Sequence, residues 1–431
     1  MLPGYAIRGM PPASSVRHLS SSVVVHYAAL PLSFATILWI GRGQWFFGDD
    51  WAILAPHLDA SVMLPHVGHW NLIPAIVFQG MRDWLGLGSY LPFLALAVLA
   101  HLAVAHLGWR ILRRVGVNAW VATLLSILVM LLGGGSENIL WAFQFGFMGA
   151  VALGLAVVLL LDGERLTPLT IGAIIVLSLA APMFSGTAMP VLAAAAIVGW
   201  IRHGFLRTLL LLLPTAVSYL VWFVLIARDH QVASEGIVSV GGAVLYAAGM
   251  YGGGLGRALP WIGLGLIPAG ALVVWFAVTV RRRMLSPAAP AYAMAIGSLV
   301  FVVLTTWSRS PLGLSASAAQ RYAYVTVVLT LPAFGIMLSW LAARSRLWSI
   351  TTMVLLVALS GFNTVQLAVD AGTQARREAG SKQRVLSSLA DILQHPGDAK
   401  LLRASADPTW APDLLGSDLL KLYDAGELPR R

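Results

Sequence analysis

Two adjacent carboxylates, Asp49 and Asp50, are the strongest chemical signal in the sequence. They follow an apolar run, 23–40, that is long enough to cross a membrane. Ionised carboxylates beside a bilayer are costly unless they are hydrated, paired or used in chemistry. Such a carboxylate can accept a proton from a hydroxyl group or hold a divalent metal, here Mg²⁺ or Mn²⁺. The alternative is a helix-capping aspartate on a solvated loop.

A pair of histidines follows in the segment His66-Val67-Gly68-His69. If this segment were helical, both imidazoles would lie on one face and could bind a metal. No third ligand is evident apart from His57 and the two aspartates. We therefore expect His69 to form a hydrogen bond with a phosphate, a sugar or an aspartate.

A third polar group surrounds Glu137 and Gln144, with Trp141 and Phe145 at helical spacing between and beyond them. Aromatic rings beside carboxylate and amide groups suit a sugar, because the C–H face of a sugar ring stacks on aromatics. An aromatic belt at the membrane surface explains the same tryptophan equally well.

Arg321 and Tyr322 form the last signal, at the start of a late apolar run. An arginine at the edge of a membrane bundle needs a partner. A phosphate is suitable because the guanidinium fork matches its oxygens. The alternatives are a remote carboxylate, such as Asp50 or Glu137, and an arginine that extends to the membrane surface without a specific role.

These residues must be positioned by a membrane protein. The chain has 431 residues, of which 58% are hydrophobic and 11% charged, whereas soluble domains carry about 25% charged residues. It contains no cysteine, which excludes disulfides and thiolate chemistry. No Walker, HExxH or GxSxG motif is present, so direct use of ATP is not expected.

About eleven apolar runs predict an all-α bundle of transmembrane helices, with a membrane domain over 1–367. The outer loop 41–88 contains Leu72 to Leu85, which is too short to span and predicts an interfacial or re-entrant helix. A similar stretch covers 238–251. The hydrophilic tail, 368–431, predicts a small helical unit. The expected spans are 23–40, 89–112, 118–134, 142–161, 167–183, 188–201, 207–227, 260–280, 289–306, 321–341 and 347–367.

The arginines predict the orientation of these spans. The chain has a formal net charge of +10. Its arginines lie at the ends of apolar runs, which indicates membrane anchoring rather than nucleic-acid binding. Loops rich in arginine, such as 110–114 and 281–283, are expected on the cytoplasmic side together with the N-terminus. The C-terminal tail is then extracytoplasmic. The preference for arginine over lysine is typical of a GC-rich bacterium. A multi-pass protein of such a cell is expected in its inner membrane.

The pattern resembles the GT-C superfamily of polytopic membrane glycosyltransferases over most of the membrane region. Asp49-Asp50-Trp51 is similar to the acidic pair that follows the first helix of these enzymes, and Arg321-Tyr322 is similar to an Arg-Tyr pair late in many bacterial relatives. The chain differs in having no large C-terminal outer domain. This difference argues against an oligosaccharyltransferase that modifies asparagine.

The resemblance implies an inverting sugar transfer from a polyprenyl-phosphate donor to a cell-envelope glycan, lipid or protein. It implies that Asp49 is the base that deprotonates the acceptor hydroxyl and that Asp50 orients the site or binds a metal. Arg321, with His69, would neutralise the leaving phosphate. Glu137, Gln144 and Tyr322 would contact the substrates. No nucleic-acid partner is implied.

Other classes fit the same residues. A lipid or glycan transporter or flippase would use the outer polar loops as a gate, but it predicts polar groups deep within the spans. Those spans contain few such groups apart from His101 and His106. A polysaccharide polymerase or ligase, with a different donor, is a second alternative, and a non-catalytic membrane partner is a third.

The arginine distribution predicts that the tail is extracytoplasmic. A reporter fused after Arg431 should be inaccessible to cytoplasmic labelling and accessible from outside in cells with a permeabilised outer membrane. A reporter fused within the loop 110–114 is the matched control and should behave in the opposite way. Cytoplasmic labelling of the fusion at residue 431 would contradict the topology.

Overall fold

The computed structural model describes residues 20–230 and 239–428, without the side chain of residue 60. It is about 81% helical, which confirms the all-α bundle. The polar N-terminal segment, the first residue of the stretch 238–251 and the last residues of the tail lie outside the described residues.

The elements are α1 (Ser21–Gly41), α2 (Asp49–Leu54), α3 (Leu72–Leu85), α4 (Leu91–Arg114), α5 (Ala119–Met130), α6 (Ser136–Leu140), α7 (Phe145–Leu161), α8 (Pro168–Phe184), α9 (Ala188–His203), α10 (Phe205–Trp222), α11 (Val240–Gly256), α12 (Leu266–Arg283), α13 (Ala289–Arg309), α14 (Gln320–Ala342), α15 (Arg346–Gln394), α16 (Ala399–Arg403), β1 (Ser405–Asp407), β2 (Ala411–Leu415) and α17 (Gly416–Asp424).

Eight helical segments in the described part of the chain are long and apolar enough to cross a membrane. The bent pair formed by α5 and the segment containing α6 gives up to 9, and the shorter helices α8 and α9 are also apolar. Each predicted apolar run falls on one of these helices. The helices thus fit a multi-pass membrane protein, while the exact number of crossings and the interfacial position of α3 stay predictions.

A glycine turn separates α5 from α6 and begins within the predicted span 118–134, whereas α6 lies beyond the end of that span. A Cβ atom on Gly133 would lie 2.5 Å from the carbonyl oxygen of Asn363, and one on Gly134 would lie 2.5 Å from that of Arg257. Only glycine allows backbones to approach so closely. The turn therefore brings α15 and the end of α11 against the start of α6.

An acidic residue joins three helices at one end of the bundle. Asp162, just after α7, lies 2.9 Å from the Arg114 guanidinium of α4 and 2.9 Å from the Arg202 guanidinium of α9. The Asp162 side chain is 3% exposed, so both ion pairs are shielded on one side. These arginines belong to the loops that the sequence predicts to be cytoplasmic.

The tail begins within a helix rather than after one. Helix α15 has 49 residues and continues without a break across the predicted boundary between 367 and 368. Beyond it, β1 and β2 form a two-stranded antiparallel sheet, which the sequence did not predict. The division into 1–367 and 368–431 stays a prediction, and its boundary lies inside α15.

The tail packs on the segment 41–88 at the other end of the bundle from Asp162. Gly48 N donates to Trp410 O at 2.6 Å, and Leu87 N donates to Glu427 O at 2.6 Å. The His57 Nδ1 and Asp418 Oδ2 atoms are also 2.6 Å apart. These contacts fix the position of the loop that carries Asp49 and Asp50.

Candidate functional site

A small cavity at the end of the bundle nearest the tail brings together most of the predicted site residues. Its volume is about 120 Å³. It lies where α1 and α13 end and where α7 and α14 begin. The predicted residues that line it are Asp49, His69, Gln144, Arg321 and Tyr322. We refer to it below as the small cavity.

Asp49 is the first residue of α2 and its carboxylate is 37% exposed. The preceding Gly48 has a φ of 55° and packs against the Trp141 ring, where a Cβ would lie 3.3 Å from that ring. Glycine is favoured at this positive φ, and the tight turn directs the chain from α1 into α2. The Oδ1 atom of Asp49 lies 3.3 Å from His66 Nε2. The Asp49 carboxylate is therefore accessible from the cavity and close to an imidazole.

Asp50 has different surroundings from its neighbour, because its side chain is fully buried. Its carboxylate accepts hydrogen bonds from Phe47 N at 3.1 Å and Phe143 N at 3.1 Å. The Tyr90 hydroxyl lies 3.4 Å from the same group and donates to it. Burial raises the pKa of Asp50 well above its usual range, although the Phe47 N–H opposes this rise. Asp50 does not line the small cavity and instead joins three segments around it.

The two histidines lie on a tight turn, not on a helix. His66 N donates to His69 O at 3.0 Å, and His69 N donates to His66 O at 2.9 Å. The residues between them, Val67 and Gly68, have φ values of 49° and 82°, as in a type I′ turn. The helical placement considered from the sequence is therefore wrong, but the turn still places both imidazoles at the cavity.

His69 is held as a neutral group. A Cβ on Gly186 would lie 2.7 Å from His69 Nδ1, so only glycine at this position leaves room for the ring. Burial, together with the nearby Arg309 and His66, lowers the pKa of His69 to about 4. At physiological pH the ring can donate or accept a hydrogen bond without carrying charge.

Arg321 has a carboxylate partner in Glu137. The Arg321 Nη1 atom donates to Glu137 Oε1 at 2.6 Å, and Arg321 N donates to Glu137 Oε2 at 3.3 Å. Their side chains are 36% and 26% exposed, respectively. The sequence left open whether Arg321 pairs with a phosphate or with a carboxylate. The structure shows a carboxylate partner. The pair connects Glu137 to the small cavity, which Arg321 itself lines.

Gln144 and Tyr322 complete the predicted set. Gln144 is buried, and its Oε1 atom accepts from Asn138 Nδ2 at 3.3 Å. Tyr322 is also buried, and the Arg321 guanidinium carbon lies 5.4 Å from the centre of its ring. Both side chains are therefore fixed walls of the small cavity.

Two further residues belong to this site and were not among the predicted ones. Arg309, at the end of α13, and His66 line the small cavity together with Arg321. Arg309 donates to Val67 O at 3.1 Å, and no described carboxylate lies within 4.0 Å of it. Arg309 could have been found from the sequence, because it is one of the few arginines in the predicted outer loops. His66 had been considered only as a metal ligand.

The side chains do not fit the Mg²⁺ or Mn²⁺ site that the adjacent aspartates suggested. The backbone N–H bonds to Asp50 occupy both of its carboxylate oxygens. Asp49 then has only the His66 imidazole beside it, whereas Mg²⁺ prefers oxygen ligands. The part of the chain that the structure describes contains no group of three or more metal-ligating side chains.

Comparisons of this chain with protein-family models, curated proteins and solved structures found no match. The resemblance to the GT-C superfamily thus stays a prediction that rests on the two short motifs.

The contacts of the two aspartates predict different effects of replacing each carboxyl group by an amide. Asp50→Asn should lower the free energy of unfolding by about 1–3 kcal/mol, because its amide N–H₂ would face a backbone N–H donor that now has no acceptor. Asp49→Asn is the matched control and should leave stability nearly unchanged. Thermal unfolding of both variants in detergent measures this difference. Equal melting temperatures for Asp50→Asn and the wild type would contradict the bonding role.

Proposed function

We propose that the protein is a membrane glycosyltransferase that moves a sugar from a polyprenyl-phosphate donor. The observation that carries this proposal is the meeting of the Asp49 carboxylate with Arg309 and Arg321 in one small cavity. Sugar transfer from a lipid phosphate needs a base for the acceptor and cations for the leaving group. The cavity supplies both at one end of the apolar helices.

In this proposal Asp49 is the general base. Its half-exposed carboxylate takes the proton of an acceptor hydroxyl, and the resulting oxygen attacks the anomeric carbon of the donor sugar. The bond between that carbon and the phosphate oxygen breaks from the opposite face, which inverts the configuration. The nearby His66 can orient the carboxylate or share the proton.

Arg309 and Arg321 neutralise the phosphate that leaves. Preorganised charge of this type is often the largest single contribution to catalysis. Arg309 is the stronger candidate for direct contact, because it has no carboxylate partner among the described residues. Arg321 is already engaged by Glu137 and by Tyr322. The neutral His69 can donate a hydrogen bond without competing for the charge.

The proposal places the reaction on the outer face of a bacterial inner membrane, with an envelope glycan, lipid or protein as acceptor. Its support is the positive-inside pattern, since Arg114 and Arg202 lie at the opposite end from the cavity. A polysaccharide polymerase or ligase stays an alternative of the same chemical type.

The interior of the bundle favours an enzyme over a transporter or flippase. His101, one of the two polar residues expected within the spans, is fully buried. Its Nδ1 atom lies 2.9 Å from the Tyr324 hydroxyl and its Nε2 atom 3.0 Å from Met130 O. Both ring nitrogens are thus used in helix packing, and His101 is not available to line a polar path.

The base assignment is tested by Asp49→Asn in purified protein in nanodiscs. The variant should lose about 10²–10⁴-fold of the transfer rate, because it cannot accept the proton. The assay supplies radiolabelled polyprenyl-phosphate hexoses and pentoses with an envelope glycan extract and measures label in the acceptor. Asp391→Asn, which changes an exposed carboxylate away from the cavity, is the matched control and should retain full activity.

Wild-type activity in a folded Asp49→Asn preparation would remove the base assignment. Failure of the wild-type protein to transfer from any of these donors would contradict the proposed function itself.

A further inference from the structure

A larger cavity, of about 470 Å³, lies beside the small one and shares Trp141 with it. This volume is in the range of small-molecule binding sites, about 300–1,000 Å³. The large cavity is bounded by the membrane helices on one side and by the tail, through Trp410, on the other. Its lining residues do not include Asp49, Asp50, Arg309 or Arg321.

Three aromatic side chains form a continuous wall of the large cavity. Phe47 stacks on Trp141 with ring centres 4.9 Å apart, and it lies 6.0 Å from Trp410. The Trp141 Nε1 atom is buried and has no hydrogen-bond partner in the described structure. A buried donor without a partner is costly.

The opposite wall is polar and rich in hydrogen-bonding groups. Gln320 Nε2 donates to Asp370 Oδ2 at 3.0 Å, and Ser136 Oγ donates to the same oxygen. Gln374 lines the cavity between these groups and the tail. Aromatic faces opposite amides and hydroxyls provide both the apolar and the polar contacts that a sugar ring offers.

Two arginines add positive charge to this cavity. The Nε atom of Arg257 donates to Ala318 O at 3.0 Å, which fixes the side chain. Arg377 is exposed on α15 and lines the cavity. No described carboxylate lies within 4.0 Å of either guanidinium. The acidic side chains present are already engaged, Glu137 by Arg321 and Asp370 by its hydroxyl and amide donors.

We propose that the large cavity binds an anionic saccharide, with the sugar on the aromatic wall and its carboxylate or phosphate on Arg257 and Arg377. The role of this saccharide as the acceptor rests on the proposed glycosyltransferase function. Trp141 separates it from the small cavity, so an acceptor hydroxyl at that boundary reaches Asp49 from the side opposite the lipid donor. The preference for an anionic sugar comes from Arg257 and Arg377, which do not line the small cavity.

The test compares three disaccharides on the purified full-length protein in nanodiscs by isothermal titration calorimetry. These are cellobiose, a glucuronyl-glucose disaccharide with a carboxylate, and cellobiose 6-phosphate. At least one charged disaccharide should bind about tenfold or more tightly than cellobiose, since a bidentate guanidinium contact is lost with the neutral sugar. The two charged sugars distinguish carboxylate from phosphate recognition.

Arg377→Gln should remove most of this preference and leave the melting temperature unchanged, because the Arg377 side chain is exposed. Arg257→Gln is a second variant that tests the other cation. Arg403→Gln removes an exposed arginine of α16 that does not line the cavity, and it should bind as the wild type does. Equal affinity for the three sugars, no binding of any of them, or unchanged preference in both Arg377→Gln and Arg257→Gln would overturn the proposal.

Binding of polyprenyl phosphate to the same preparation separates this proposal from the proposed function. If the lipid phosphate binds and the charged disaccharides do not, the anionic-saccharide site is refuted while the glycosyltransferase proposal stands. If the charged disaccharides bind selectively but the protein transfers sugar from none of the donors, the saccharide site is supported and the enzymatic role fails.

Discussion

The buried carboxylate of Asp50 is the interaction on which the arrangement of the site depends. Its oxygens accept backbone N–H groups from the segment after α1 and from the segment before α7. The Tyr90 hydroxyl, at the start of α4, donates to Asp50 and accepts from Ala142 N at 2.7 Å. One side chain thus holds the ends of three apolar helices together. Intramolecular hydrogen bonds contribute about 0.5–1.5 kcal/mol each to stability.

This network also separates the roles of two identical neighbouring side chains. Successive residues of a helix point in directions about 100° apart. With Asp50 fixed toward the core, Asp49 faces the small cavity, where its carboxylate is half-exposed. The same turn of chain therefore provides a rigid anchor and an accessible base. A catalytic group needs this support from its surroundings, because a misplacement of about 1 Å can cost 10²-fold in rate.

The tail contributes to the same region from the other side. Glu378, in the hydrophilic half of α15, accepts from Trp45 N at 2.7 Å. Gly48 N donates to Trp410 O, and the Trp410 ring lies against Phe47. The segment after α1 is therefore held between the membrane helices and the tail. This position explains why the large cavity lies at the junction of the two, lined by helix residues and by Trp410.

Much of the fold could be predicted from the sequence, because long apolar runs and arginine-rich loops are strong signals of membrane helices. Helix α3 begins and ends at the expected residues, and the candidate residues converge because their loops share one end of the bundle. The burial of Asp50 and the exposure of Asp49 could not be predicted, since they depend on long-range contacts with Phe143 and Tyr90. The turn at His66 and His69 was missed because the spacing of two histidines does not reveal the positive φ values between them. Arg309 was missed because its lack of a carboxylate partner is visible only in three dimensions.

The account depends most directly on where a lipid phosphate binds. An electron cryo-microscopy structure of the protein in nanodiscs with added polyprenyl phosphate would locate it. The account predicts that the phosphate lies within hydrogen-bond distance of Arg309 and Arg321, with the prenyl chain directed toward the apolar helices. A phosphate bound elsewhere, such as beside Arg114 and Arg202 at the other end of the bundle, would contradict it.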